Sequence, residues 1–243
     1  MSDDKGNCLH CPTRLIGICS HSSRAELNVM QTMRYYRSYA PGEVIARAGD
    51  PMNFLATIKF GMVTVSRTAA DGHRQMVGLL QPGDFIGQPF HPVLMEDVVA
   101  AGDALLCIYP RKTLETFLQT HPGTAIRLME MVYGELDLAR EWMVILSRLS
   151  AREKVASFLA LVARRQRVNP SETGCKACGV DLPISRTVMG EYLGLGLSTV
   201  SRQMNDLKSE GIIAFSERHR IIIKDMPQLL KAAGNDGRET AAA

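Results

Sequence analysis

An α+β fold is predicted, with a β-rich first half and a helical second half, and three observations predict it. From about Tyr39 to Tyr109 short apolar runs alternate with glycine-marked turns. From Pro122 the apolar period becomes that of a helix. After Ser150 two short helices flank a glycine-rich turn and lead into a hairpin pattern. A chain of 243 residues can bury a core without covalent staples. Its composition, 46% hydrophobic and 22% charged, is that of a soluble globular protein, and no apolar run approaches the roughly 18 residues of a membrane span. The start "MSDDKGNCLH" carries acid where a secretion signal carries base, so a cytoplasmic protein with reduced thiols is expected. Formal net charge is only +3, but arginine and lysine gather between Arg140 and Lys224, which assigns any nucleic-acid role to the C-terminal half.

The β-rich stretch reads as "EVIARAGD", "FGMVTVSRTAADGHRQMVGLL", "PGDFIG" and "VVAAGDALLCIYP". Gly42, Gly49, Gly61, Gly72, Gly83 and Gly102 punctuate it mostly 7 to 12 residues apart, the rhythm of an all-β sandwich or barrel. Asp71-Gly72 marks the clearest hairpin, because glycine accepts the positive φ of such a turn.

After His121-Pro122, apolar or small residues recur at Ala125, Met129, Val132, Leu136, Ala139, Met143 and Leu146, alternately four and three apart. That is a heptad seam, along which a helix pairs with another. A second row, Leu138, Trp142, Ile145 and Leu149, lies on a neighbouring face and can pack on the chain's own domains. Two apolar faces on one long helix favour a homodimer over a helix buried in a monomer. Ser150 to Glu153 then form a capping box opening a helix with Val155, Phe158, Leu159 and Val162 on one face. The following "RRQRVNPSETGCKACGVDLP" reads as a polar loop.

"ISRTVMGEYLGLGLSTVSRQMNDLKSEGII" contains a short helix over about Arg186 to Leu193, a turn at Gly194 to Gly196, and a second helix over about Ser198 to Ser209. Val200, Met204 and Leu207 make its buried stripe; Ser198, Ser201, Arg202 and Asn205 lie on the opposite face. Short hydrogen-bonding side chains and one arginine near a helix N-terminus suit the major groove of double-stranded DNA, where Arg202 can fork onto guanine O6 and N7. Arg186 and Lys208 suit phosphates. "IIAFSERHRIIIKD" reads as a two-stranded wing with a basic tip at Arg218, His219 and Arg220.

"YLGLGLSTVSRQMNDLKSEGII", together with "GEVIARAGD", "IKFGMVTVSRT", "QPGDFIG" and the strand ending at Cys107, resembles the CRP/FNR superfamily of bacterial transcription regulators over nearly the whole chain, most closely the oxygen-responsive iron–sulfur FNR type. The resemblance implies five parts. Residues 1–28 are a cysteine-bearing tail and 29–121 a jelly-roll sensor domain, the cyclic-nucleotide-binding-like double-stranded β-helix. Residues 122–149 are a dimerisation helix, 150–230 a winged helix-turn-helix that binds DNA, and 231–243 a flexible tail. The FNR branch reads its site with Glu-x-x-Ser-Arg; here Ser198-Thr-Val-Ser201-Arg202 puts serine at the glutamate position, which loosens discrimination at the base pair a glutamate would read through cytosine N4.

Six cysteines are present. Cys8-x2-Cys11 can bring two thiolates to one ion or cluster, and Cys19 is within reach of a loop. From position alone Cys107, in "ALLCIYP", reads as an inert core residue, with Leu105 and Tyr109 on its face of the strand. The resemblance implies instead that Cys8, Cys11, Cys19 and Cys107 are the ligands of a [4Fe–4S] cluster. Zinc on the same four thiols, or a regulator sensing nitric oxide or a small ligand, are the alternatives. Cys175 and Cys178 match nothing in that set and read as surface residues or a secondary redox pair. Relatives that bind a cyclic nucleotide clamp its phosphate with an Arg-Ser-type pair; here Glu96-Asp97-Val98 stands in that stretch, so no cyclic nucleotide is expected. His73, His91 and His121 lie singly and no nucleophile–base set stands out, so no enzyme is expected. RNA polymerase, met through the Asp71-Gly72 hairpin, is a further partner the resemblance implies.

Overall fold

The computed structural model describes residues 7–69, 71–72, 74–166, 178–216 and 219–234, and places them in two compact units, 1–137 and 138–243. In the first, β1 (Tyr35–Tyr39), β8 (Ala104–Pro110), β3 (Phe54–Phe60) and β6 (Phe85–Ile86) form one antiparallel sheet in that order. The other sheet runs β2 (Val44–Ala46), β7 (Asp97–Ala100), β4 (Val63–Thr68) and β5 (Arg74–Leu80). This is the jelly-roll arrangement the glycine rhythm announces. The glycines sit where the chain reverses; Gly61 has φ +85°, and a Cβ there would lie 2.2 Å from the Asp103 carbonyl oxygen. Strand pairing joins β4 to β5 on either side of Asp71 and Gly72.

Side chains of both sheets meet in one core of Tyr39, Ile45, Ala56, Ile58, Val63, Ile86, Val98, Leu106 and Ile108 among others. Because successive strand residues face opposite ways, β8 sends Leu106 and Ile108 into that core and turns Cys107 and Tyr109 outward. The outward face is covered as well. Ile18 of the N-terminal segment, Met30 of α1 (Arg24–Met33), Leu114, Phe117 and Leu118 of α2 (Arg111–Thr120), and Ala125, Leu128 and Met131 of α3 (Pro122–Arg148) pack there with Leu55 and Tyr109. Neither α1 nor α2 is anticipated above, although Ser23 and Glu26 form a reciprocal capping box at the start of α1 that was legible as such.

On α3 the two apolar rows part as the periodicity predicts. Trp142 and Ile145 are buried, whereas Met129, Val132, Leu136, Met143 and Leu146 of the seam are exposed, Met143 by 63%; Ala139 is exposed too. In the second unit Trp142 meets Tyr192 edge-on at 4.6 Å and Phe158 of α4 (Ala151–Gln166) at 6.2 Å. The Ser150–Glu153 capping box is present in both directions. Helices α5 (Arg186–Leu193) and α6 (Leu197–Ser209) follow, then β10 (Ile213–Phe215), β11 (Arg220–Ile223) and α7 (Met226–Ala232).

One reading is corrected. The end of the supposed polar loop is a strand, β9 (Cys178–Asp181), which pairs with β11 and makes the wing three-stranded. Val180 is fully buried there and Leu182 is buried just beyond it; two alternating apolar residues beside glycine and proline are too short a period to be read as a strand. Cys178 therefore lies in a strand and not in a loop; Cys175 lies outside the described residues, as do residues 235–243 of the expected tail.

The turn between α5 and α6 depends on close approach. Gly194 ends α5 in the left-handed conformation at φ 62°, and a Cβ on Gly190 would stand 2.5 Å from the Leu195 carbonyl oxygen. Gly190→Ala is expected to force α5 and the turn apart and to cost about 1–3 kcal/mol in urea unfolding, whereas Gly134→Ala on α3, where nothing lies within 4 Å, is expected to cost nothing measurable.

Candidate functional site

Two places gather the residues singled out by the sequence. The first lies over the outward face of β8. Cys8 opens a short 3₁₀ turn, Cys8–His10, and is buried. Helix α1 and the residue that ends it hold Cys8 twice: the Cys8 amide donates to Gln31 Oε1 at 3.1 Å, and Arg34 Nε donates to Cys8 Sγ at 3.1 Å. The Arg34 guanidinium also stacks 4.2 Å from the ring centre of Tyr36, and Lys59 Nζ lies 4.4 Å from the same ring. Tyr36 is the strand partner of Cys107 across β1 and β8. Cys11 Sγ is 3.3 Å from Thr13 Oγ1.

Cys8, Cys11, Cys19 and Cys107 are free thiols. Burial pushes Cys19 up to about 11, and Cys11 and Cys8 push it further. Burial pushes Cys107 up to about 12 against its hydrogen bond to the Tyr109 hydroxyl at 3.5 Å and the charge of Arg34, with Cys19 and Cys8 adding to the rise. Tyr109, almost wholly buried, is raised by desolvation and then by Cys107, Cys19 and Cys8. Cys19 and Cys107 are therefore neutral thiols at physiological pH, and any metal group they bind must displace their protons. Among the described residues no three His, Cys, Asp or Glu side chains stand close enough to hold a metal ion, so neither a zinc tetrahedron nor a complete four-thiol cluster site is preformed, and the sulfurs would draw together on binding. By residue type, four cysteine sulfurs are a donor set that iron–sulfur groups use.

The segment between Cys11 and Cys19 is bound through its backbone. Arg14 donates to the carbonyls of Cys19, Ser20 and Ser22. Arg127 of α3 donates to the Ile16 carbonyl at 2.6 Å and the Gly17 carbonyl at 3.4 Å, and pairs with Glu130 at 2.9 Å. Ser22 Oγ and Thr124 Oγ1 lie 3.1 Å apart and buried. None of Arg14, Arg34 and Arg127 stands out in the sequence, because an arginine whose partner is a distant carbonyl or thiol leaves no periodic or spacing signal.

The second place is the helix pair α5–α6. Val200, Met204 and Leu207 are buried as expected. Ser198, Arg202 and Asn205 are exposed; Ser201 is half-buried on the flank of that face. Ser185 caps α5 by accepting from the Val188 amide at 3.2 Å, while Gly196 starts α6 without a side-chain cap and leaves its first amides to an outside acceptor. Arg186 and Lys208, expected at phosphates, come from different helices yet stand over the same ring, Phe215 on the wing, each 5.2 Å from its centre. Arg220 is exposed on β11 and stands 3.9 Å from Asp181; Arg218 lies outside the described residues. Arg152 and Glu210 join α4 to the end of α6 through paired hydrogen bonds.

Known proteins align with both places. Residues 36–121 match the cyclic nucleotide-binding domain family and residues 153–232 the Crp-like helix-turn-helix domain family. The transcriptional activator protein FnrL of Cereibacter sphaeroides is 43% identical over 94% of this chain and 92% of its own length. The nitrogen fixation regulation protein FixK of Bradyrhizobium diazoefficiens is 31% identical over 85% of this chain and 86% of its own. The structure of FixK2 from Bradyrhizobium japonicum superposes with a TM-score of 0.72 at 30% identity, covering 86% of this chain and 99% of that one. These relatives are transcription regulators and not enzymes, and the two β-sheets, the long helix and the helix-turn-helix place this chain with them: it belongs to the CRP/FNR family of DNA-binding transcription regulators.

Proposed function

We propose that the chain is an oxygen-responsive transcription regulator. In this reading Cys8, Cys11, Cys19 and Cys107 hold a [4Fe–4S] cluster whose state governs the pairing of two copies through α3 and their binding to a palindromic DNA site. The observation that carries the reading is convergence. Cys19 and Cys107 pack in one cluster with Ala125, Leu128 and Met131 of α3, and Arg34, which donates to Cys8 Sγ, stacks on Tyr36, the strand partner of Cys107. When bound, the cluster supplies an oxygen-labile link between the tail and the strand. The chain's own residues do the rest. Arg34 and Gln31 orient Cys8, partial burial limits water at Cys19 and Cys107, and the hydrogen-bonded loop passes its position to α3. The reduced state of the four cysteines suits a cytoplasmic protein.

The exposed seam of α3 is the surface on which a second copy would pair. Pairing sets two α6 helices against half-sites roughly 34 Å apart, so that affinity rises steeply with dimer concentration. A coupling of about 1–3 kcal/mol between cluster state and pairing is enough for a switch. Arg202 is placed to fork onto a guanine, with Ser198, Ser201 and Asn205 beside it, while Arg186, Lys208, Arg218 and Arg220 serve phosphates. By the example of FnrL, named a transcriptional activator, this chain activates, and the turn at Asp71 and Gly72 is the surface offered to RNA polymerase. The β-domain takes no cyclic nucleotide: Glu96 and Asp97 stand where an anion would need an arginine, Glu96 held by Arg67 at 2.6 Å and Asp97 by the Ala48 amide at 2.9 Å.

Protein purified without oxygen is expected to be brown, to bleach in air, and to lose affinity for its DNA site in gels run on the same samples. Cys107→Ser is expected to abolish both colour and oxygen response. A colourless protein carrying one zinc per chain would sink the cluster.

Arg202→Ala is expected to cost about 1–3 kcal/mol and to relax preference at one base pair, whereas Lys208→Ala weakens binding to all sequences alike and reduces the salt slope by about one. Titrations at several salt concentrations on specific and scrambled sites separate the two.

No carboxylate stands in the seam; Glu135 and Asp137 flank it and Ala139 lies at its centre. The cluster-free chain should therefore keep a dimer population by sedimentation in air, which Ala139→Asp should remove by placing like charges face to face. Parent protein that is wholly monomeric in air would count against this.

A further inference from the structure

We infer that Arg127 is the positioning residue that transmits the state of the cysteine loop to the pairing helix, by gripping the loop's carbonyls and not its sulfurs. The inference rests on the cluster reading above and adds to it the route of the signal. Arg127 lies in the second turn of α3, next to the exposed Ile126 and two positions before Met129, the first exposed residue of the seam. Its guanidinium leaves the helix and ends on Ile16 and Gly17, midway between Cys11 and Cys19. Glu130, one turn on, fixes the guanidinium from its own helix at 2.9 Å and stands 3.6 Å from His21, just beyond Cys19. The loop is thus tied to α3 at its middle and just beyond Cys19, and no tie is a cysteine.

The loop also has little freedom to move without disturbing Arg127. A Cβ on Gly17 would lie 3.1 Å from the Thr13 carbonyl oxygen and 3.3 Å from Thr57 Cγ2 of β3, so the loop is wedged between helix and sheet. Ile18 is wholly buried with Leu128 and Met131. Arg14 draws the Cys19, Ser20 and Ser22 carbonyls inward, leaving those of Ile16 and Gly17 for Arg127. A guanidinium has a rigid planar fork and finds two carbonyls only in one pose. A loop whose cysteines are held in place keeps both carbonyls in that pose; a loop released from them turns the carbonyls away and frees the first turns of α3.

The test separates holding the cluster from reporting it. Parent protein, Arg127→Met and Arg127→Lys are purified without oxygen and compared for iron per chain, bleaching in air, dimer fraction by sedimentation and DNA affinity before and after bleaching. Arg127 touches no thiol, so Arg127→Met is expected to load iron and bleach like the parent. Its dimer fraction and DNA affinity, however, should change less than about twofold on bleaching, where the parent's DNA affinity changes by about tenfold or more and its dimer fraction falls measurably. Arg127→Lys, which keeps the charge but not the fork, should fall between; if Arg127→Met does not fold, that intermediate response carries the test. An Arg127→Met protein that switches like the parent overturns the inference, and so does one that folds but loads no iron, because Arg127 would then only build the loop. A parent that holds no iron overturns the cluster reading itself, a result distinct from any behaviour of the variants.

Discussion

Strand β8 buries both of its faces, and the rest of the first unit is arranged around that constraint. Period-two alternation sends Leu106 and Ile108 into the space between the sheets and leaves Cys107 and Tyr109 pointing away from it. An outward face carrying a tyrosine that is 1% exposed needs a cover, and the cover comes from four separate pieces of chain: the cysteine loop, α1, α2 and the first turns of α3. The burial that seals Tyr109 is the same burial that raises the Cys107 and Cys19 thiols and brings the cysteine loop against α3. Core packing and the contact between the cysteine loop and α3 are therefore one structure.

The polar groups of this cover show how a short loop can be held firmly without secondary structure of its own. Backbone carbonyls that leave water need donors, and two arginines meet that need for five residues of the loop: Arg14 from within it and Arg127 from α3. Charge-assisted donors are stronger than neutral ones and are fixed in direction. The cysteines are thus carried on a segment whose position is set by arginines, which separates the chemistry of the sulfurs from the mechanics of the helix.

The second unit is organised by an aromatic trio. Trp142, Phe158 and Tyr192 from α3, α4 and α5 meet at 4.6 to 6.2 Å with tilted or edge-on rings, and the buried stripe of α6 completes that packing, leaving Ser198, Arg202 and Asn205 outward. Much of this was legible. The 4,3 stripe of Val200, Met204 and Leu207, the glycine at a left-handed cap and the Ser150 capping box each depend on local sequence alone. The third strand of the wing was not, because β9 is held by pairing with β11 and by only two buried apolar residues, Val180 and Leu182.

By itself the sequence determined the elements with strong local periods: the turns of the β-domain, the two faces of α3 and the helix-turn-helix. These follow from steric and hydrophobic patterns that repeat within a few residues, and nothing distant alters them. It could also mark Cys8, Cys11 and Cys19 as a group, since they share a short stretch. Only the tertiary structure decided the company of Cys107, which stands 88 positions beyond Cys19 in the chain and reads from its strand as an ordinary core residue. It likewise decided that Arg34 would reach Cys8 and Arg127 the Ile16 carbonyl. Contacts of that kind depend on where the outward face of β8 folds against α1 and α3, and that is a property of packed surfaces which no spacing along the chain encodes.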